Sequence, residues 1–192
     1  MTADADRLLL LRLARDAIVA HVNGRRLPAP EPVGIFAQCA GGFVSLHTTD
    51  GSLRGCIGHL EADEPLGQVI VRCAVAAASD DPRFPRVTAD ELLNVRIELS
   101  LLGPIEAITG SVDIEIGRHG LIVERGRSRG LLLPQVATEW KWDADTFLAH
   151  TCGKAGLPED AWRNGAKLWR FEAEVFGEAM WAERAGGAGG AG

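Results

Sequence analysis

No apolar run in this 192-residue chain approaches the roughly 18 residues that cross a bilayer, so no membrane-spanning segment is expected. Basic charge is scarce too. Lys and Arg number 20 against 26 Asp and Glu, giving a formal net charge of −6 and a pI near 5.4. A general nucleic-acid binder usually carries a basic face, so this balance counts against nucleic acid as a partner. Cysteine is sparse: Cys39, Cys56, Cys73 and Cys152 include no CxxC pair, which argues against a structural zinc site. Four cysteines in a chain this long are also too few for a disulfide scaffold, and reduced thiols in a cytoplasm are the simplest reading. The first six residues lack the basic region of a secretory signal. No βαβ series with a phosphate-binding glycine loop is present, and no cofactor is expected. What remains is ordinary for a globular chain, with 46% hydrophobic and 24% charged residues. The length suffices for one substantial core, with room for a main body and a smaller lobe.

Along the chain, Leu8, Leu11, Ala14, Ile18 and Val22 recur at helical spacing and stop at Asn23-Gly24, predicting an amphipathic helix with a glycine terminator. Pro28, Pro30 and Pro32 force an extended connector. Ile35 to Cys39 and Phe43 to Thr48 read as strand-like pieces, and Asp50-Gly51 offers a hairpin turn into Leu53 to Leu60. Pro65 stands at a first helical position before Leu66 to Ser79, which is apolar on most sides and reads as a largely buried helix. Thr88-Ala89-Asp90-Glu91 has capping-box spacing and opens a short helix through Leu92 and Leu93. Val95, Ile97, Leu99 and Leu101 alternate with polar residues, predicting a half-buried strand. Leu121 to Glu124 and Leu131 to Pro134 flank a polar turn and read as a hairpin. Gln135 to Trp140 and Ala144 to Cys152 read as helices, the second capped by Asp143 or Asp145. Pro158 to Trp162 suggests a helical turn, and Trp169 to Val175 alternates as a strand. The tail Ala185 to Gly192 is alanine and glycine only, a composition expected to be disordered. Strands outnumber long helices and most neighbours are hairpin-connected. The expected class is α+β, a mainly antiparallel sheet flanked by helices, with one domain over 1–184 that has room for two subdomains.

Seven motifs then occur in order. They are Leu53-Arg54-Gly55-Cys56-Ile57-Gly58-His59-Leu60, Asp81-Pro82-Arg83-Phe84-Pro85, Glu98-Leu99-Ser100-Leu101-Leu102, Gly117-Arg118-His119-Gly120, Leu132 to Ala137, Cys152 to Leu157 and Phe171 to Phe176. Together they resemble the AMMECR domain family, in the bacterial form called AmmeMemoRadiSam system protein A, over roughly residues 5 to 180. The resemblance implies a two-lobed α+β fold, in which a larger lobe holds both termini and a smaller lobe forms a cleft. It also implies association with a Memo-like protein and a radical S-adenosylmethionine protein. It supplies no reaction, because the family's biochemical role is unsettled.

The residues themselves nominate a site around Cys56. A cysteine between Gly55 and Gly58 on a strand leaving a tight turn has a backbone that ligands can approach, and Arg54 two residues earlier can share its face. A thiolate becomes a useful nucleophile when nearby positive charge stabilises it, and His119 in its glycine-flanked loop can supply a base. The competing reading is a Cys56 buried between glycines for close packing alone. Arg83, fixed between prolines, suits carboxylate or phosphate binding; it suits a staple to Asp80 or Asp81 equally well. Glu98, on a polar strand face, fits an acid, a base or a salt-bridge partner. Cys56, His59 and His119 could supply three metal ligands, but His59 falls on the opposite strand face from Cys56, and no metal is expected. The scattered tryptophans do not suggest a base-stacking platform. Three function classes follow: a component using Cys56 chemistry in a modification or redox pathway, a non-catalytic partner-binding protein, and a nucleic-acid-associated regulator.

Overall fold

In the computed structural model, residues 2–178 are described, and they divide into two compact units: 2–101 with 174–178, and Leu102–Ala173. The Ala185–Gly192 tail and Trp181 lie outside the described residues.

The first unit is built on two helices and an antiparallel sheet. Helix α1 (Asp4–Val22) buries Leu10, Leu11, Leu13, Ala14, Ala17 and Ile18. That stripe is wider than the five expected positions, as suits a helix seated on a core rather than a coiled-coil seam. Asp4 and Asp6 in its first turn complement the helix dipole. The Arg7 guanidinium pairs with Glu174, and Arg15 binds Glu178 and the carbonyls of Leu92 and Val95. Helix α2 (Leu66–Ser79) is buried on most sides, as its composition predicts. Pro65 stands one residue before it. Cys73 is 2% exposed, and burial pushes its thiol up to about 11, which makes it a small core residue.

Strands β1 (Gly42–Thr48) and β2 (Leu53–His59) form the expected hairpin, and β1 also pairs antiparallel with β3 (Val95–Leu102). Their order is β2-β1-β3, with the Glu174–Gly177 end of β7 (Lys167–Gly177) beside β3. Ile35 to Cys39 is not a strand: Gly34–Ala37 is a 3-10 turn, and Cys39 makes only an isolated bridge to Pro65. A short apolar run carries no period of its own, and here the run closes a turn that buries Ile35. The Thr88 to Glu91 capping box forms, but it caps a single 3-10 turn, Ala89–Glu91, rather than a helix reaching Leu93.

The second unit has its own core around Leu121, Val123, Phe147, Leu148 and Cys152. Strand β5 (His119–Arg125) pairs with β6 (Ser128–Leu132) on one side and with β7 on the other, both antiparallel. The short β4 (Glu106–Ile108), which no alternation signalled, also pairs antiparallel with β7. Helices α3 (Pro134–Glu139) and α4 (Ala144–Lys154) complete the unit, and Asp143 caps α4 by accepting the Thr146 N–H at 2.8 Å. The class is α+β with antiparallel pairing, as expected. Among the described residues no helix is long and apolar enough to cross a membrane.

Candidate functional site

The β1–β2 hairpin places the central motif. Gly51, at φ +88°, makes the turn, and Asp50 accepts the Ser52 N–H at 3.0 Å. Register then decides what Cys56 meets. Ser45 lies between Cys56 on β2 and Glu98 on β3, and Phe43 lies between Gly58 and Ser100. These six residues therefore share one face of the sheet. The opposite face, carrying Val44, Leu46, Ile97 and Leu99, is buried in the core.

Both glycines of the motif are there for close approach. A Cβ on Gly55 would stand 2.2 Å from the Ala77 carbonyl oxygen, so α2 sits against bare backbone. One on Gly58 would meet the Phe43 ring at 2.2 Å; that ring lies over the strand. Gly55 thus belongs to helix packing, while Gly58 makes room for an aromatic side chain on the Cys56 face.

Cys56 is held from three sides. Ser45 donates its hydroxyl to Sγ at 3.2 Å, and the Cys56 N–H donates to Asp81 Oδ2 at 2.8 Å. Arg83 Nη2 stands 3.5 Å from the Cys56 carbonyl oxygen. Asp81 is 4% exposed and also accepts from the Arg83 backbone N–H, Nε and Nη2, at 3.1, 2.9 and 2.6 Å. Hydrogen bonds from Arg83 hold its carboxyl far below the usual carboxylate range. Burial pushes the Cys56 thiol up, against the opposing pulls of the Ser45 hydrogen bond and the Arg83 charge. At neutral pH Cys56 is therefore a protonated thiol.

The arginines divide their work. A bulge between Leu46 and His47 leaves Arg54 outside the regular pairing. Its guanidinium binds Glu91 at 2.8 and 3.1 Å and the carbonyls of Pro85 and Arg86. Arg54 staples the loop that follows α2. Arg83 takes the staple role toward Asp81 while half of its side chain stays exposed. The Glu98 carboxylate, 3.8 Å from His47 Nε2, is the main influence raising that imidazole's pKa, as an ion-pair partner too distant for a hydrogen bond. His47 Nε2 is buried without a hydrogen-bond partner in range.

His59 sits at the end of β2 with Asp63, at 2.7 Å, and Glu64, at 3.8 Å. Ligand atoms of these three lie within 4.8 Å of one another. Arg72 already pairs with Glu64, which makes the cluster a surface ion network.

His119 belongs to the second unit and Cys56 to the first. His119 Nδ1 accepts the Glu115 N–H at 2.9 Å. Its pKa is lowered by burial, then by Arg170 and Arg118. The ring is neutral at pH 7, with its proton on Nε2. Trp140, Trp142 and His150 stack in sequence, Trp142 on His150 at 3.9 Å, with Trp140 68% exposed.

Sequence reasoning did not nominate Ser45, Phe43 or His47. A signal for Ser45 was available, since counting outward from Asp50-Gly51 pairs it with Cys56.

With this geometry in place, likeness to known proteins decides the family. Residues 11–176 match the AMMECR1 family. The chain belongs to that family. A protein of Methanothermobacter thermautotrophicus is 46% identical over 179 residues, covering 88% of this chain and 92% of the relative. One from Thermococcus onnurineus is 47% identical over 182 residues, covering 88% of each chain. The crystal structure of the uncharacterized protein PH0010 from Pyrococcus horikoshii superposes with a TM-score of 0.82. It is 42% identical and covers 88% of this chain and 90% of its own. The AMMECR1 assignment spans the Cys56 face and the His119 loop alike.

Proposed function

We propose that this AMMECR1 protein is a cytoplasmic recognition component for a Memo-like protein and a radical S-adenosylmethionine protein in a modification or redox pathway, presenting the face around Cys56. The observation that supports this reading is the protonated Cys56, held by Ser45 and Asp81 beside the half-exposed Arg83 guanidinium. A nucleophile resting as thiolate needs a depressed pKa, and burial works in the opposite direction here. An arginine fixed by a buried carboxylate has little freedom left to lose on binding, and it offers its open side to a carboxylate of a partner.

The test is co-purification of the tagged full chain with the two candidate partners from the same genome. Arg83→Glu reverses the exposed charge and is expected to weaken capture at least about tenfold, while Cys56→Ser retains it. Capture unchanged in Arg83→Glu would defeat the recognition reading. Loss in Cys56→Ser with the fold intact would move the role to the thiol itself. That second reading, Cys56 as an acceptor or nucleophile, has one observation in its favour: Ser45 and Arg83 both favour the thiolate once it forms.

A further inference from the structure

The second unit contains a cavity of about 590 Å³, within the range of small-molecule sites. His119 and Phe171, at 7% and 1% exposed, line it together with the more exposed side chains of Arg118, Arg170, Glu106 and Glu172. The loop before β5 is built to fix the histidine. Gly117 turns at φ +85°, the Glu115 carbonyl accepts the N–H groups of Arg118 and His119, and the Glu115 N–H returns to His119 Nδ1. With Nδ1 an acceptor, the neutral ring carries its proton on Nε2. Among the described residues no protein group hydrogen-bonds that atom, and it stays open to the cavity, since His47 Nε2 is the buried side-chain polar atom left without a partner there. A fixed donor that opens into a cavity is placed to meet a ligand acceptor there.

The surrounding charges narrow the choice. Arg170 donates Nε and Nη2 to Glu106 at 3.1 and 3.0 Å and Nη1 to the Asp113 carbonyl at 2.6 Å. A guanidinium has five N–H groups, so two remain for a ligand oxygen. Both arginines outweigh the neighbouring carboxylates at the His119 ring, which suits an anionic oxygen there. Across the whole cavity, however, four carboxylates face two guanidinium groups. A dianion such as phosphate meets net repulsion. A monocarboxylate that brings its own compensating positive charge does not.

We propose that this cavity binds a free amino acid, its carboxylate at His119 Nε2 and Arg170 and its ammonium at Glu106 and Glu172. The close spacing of carboxylate and amine in one small molecule matches a site whose lining offers both donors and carboxylates. Glu172 and Arg170 stand two residues apart on β7, and Glu172 is directly paired with His119.

The experiment follows the His119 ring by nuclear magnetic resonance in the isotope-labelled full chain. The standard amino acids, added singly, are the probes. At least one is expected to give a saturable shift of the His119 Nε2 signal. Its analogues lacking either the amine or the carboxylate are each expected to bind at least about tenfold more weakly, and inorganic phosphate more weakly than the amino acid. His119→Ala should weaken binding at least about tenfold. If that variant does not fold, the exposed Glu172→Gln should bring the amino acid down toward its deaminated analogue while leaving the analogue unchanged. No saturable shift with any amino acid, tighter binding of phosphate, or equal binding of the deaminated analogue would each overturn the assignment.

Discussion

Gly55→Ala tests the packing of the central motif. The added Cβ would sit 2.2 Å from the Ala77 oxygen and 3.2 Å from its carbonyl carbon, where ordinary contact begins at 3.4 Å. Both partners are backbone, so no rotamer can relieve the clash; the last turn of α2 must retreat by about 1 Å, a gap that forfeits a quarter to a half of each contact it opens. Ala77 is followed by Ala78, and both are 2% exposed, so the lost contacts are core contacts. Overpacking costs about 1–3 kcal/mol, and the backbone clash places this variant near about 3 kcal/mol. For a chain of this size that is a fall in melting temperature of about 6–12 °C, read by circular dichroism at 222 nm. Gly153→Ala, in α4 with nothing within 4 Å of the new Cβ, is the control. It should stabilise by about 0.5–1 kcal/mol. A Gly55→Ala melting temperature equal to wild type would refute the packing explanation and return Gly55 to a role in ligand approach.

Asp81→Asn should destabilise by about 2 kcal/mol in urea melts, discounted for the half-exposed Arg83. Because the folded-state pKa of Asp81 is depressed by Arg83, its stabilisation is full above the unfolded pKa of about 3.9 and fades as pH falls toward the folded value. The wild-type loss of stability below about pH 4 should therefore be shallower in Asp81→Asn; parallel profiles would contradict the role given to Asp81. Ser45→Ala removes the hydroxyl donated to Sγ, so Cys56 should alkylate more slowly at pH 8, and a faster rate would count against that hydrogen bond. Glu98→Gln should lower the His47 pKa toward its ordinary value, measured by titrating the imidazole signals. No movement would detach the pair.

Much of the architecture was legible because periodicity and turn chemistry are local. The alternation in β3, the Asp50-Gly51 hairpin and the stop at Gly24 each rest on a few adjacent residues, and each element forms where it was expected. Ile35 to Cys39 misled because a short apolar run is equally consistent with a strand and with a buried turn. The site was legible in its residues but not in its partnerships. Arg54 looked like the charge beside Cys56, yet a one-residue bulge sends it to Glu91, and bulges leave no mark in composition. Arg83, 27 residues away in sequence, is the cation that stands against the Cys56 carbonyl and pulls on its thiol through charge. The neutral state of His119 comes from burial and from Arg170 and Arg118, and its tautomer from a loop closing back through the Glu115 N–H, none of which a spacing rule reveals.

The most direct test of the recognition reading is the pH dependence of Cys56 alkylation in the full chain, with Cys39, Cys73 and Cys152 replaced and the fold checked. A recognition face with a protonated thiol requires slow labelling and an apparent pKa above the free-cysteine value of about 8.5. Fast labelling with an apparent pKa below about 7 would contradict it and make Cys56 a resting nucleophile.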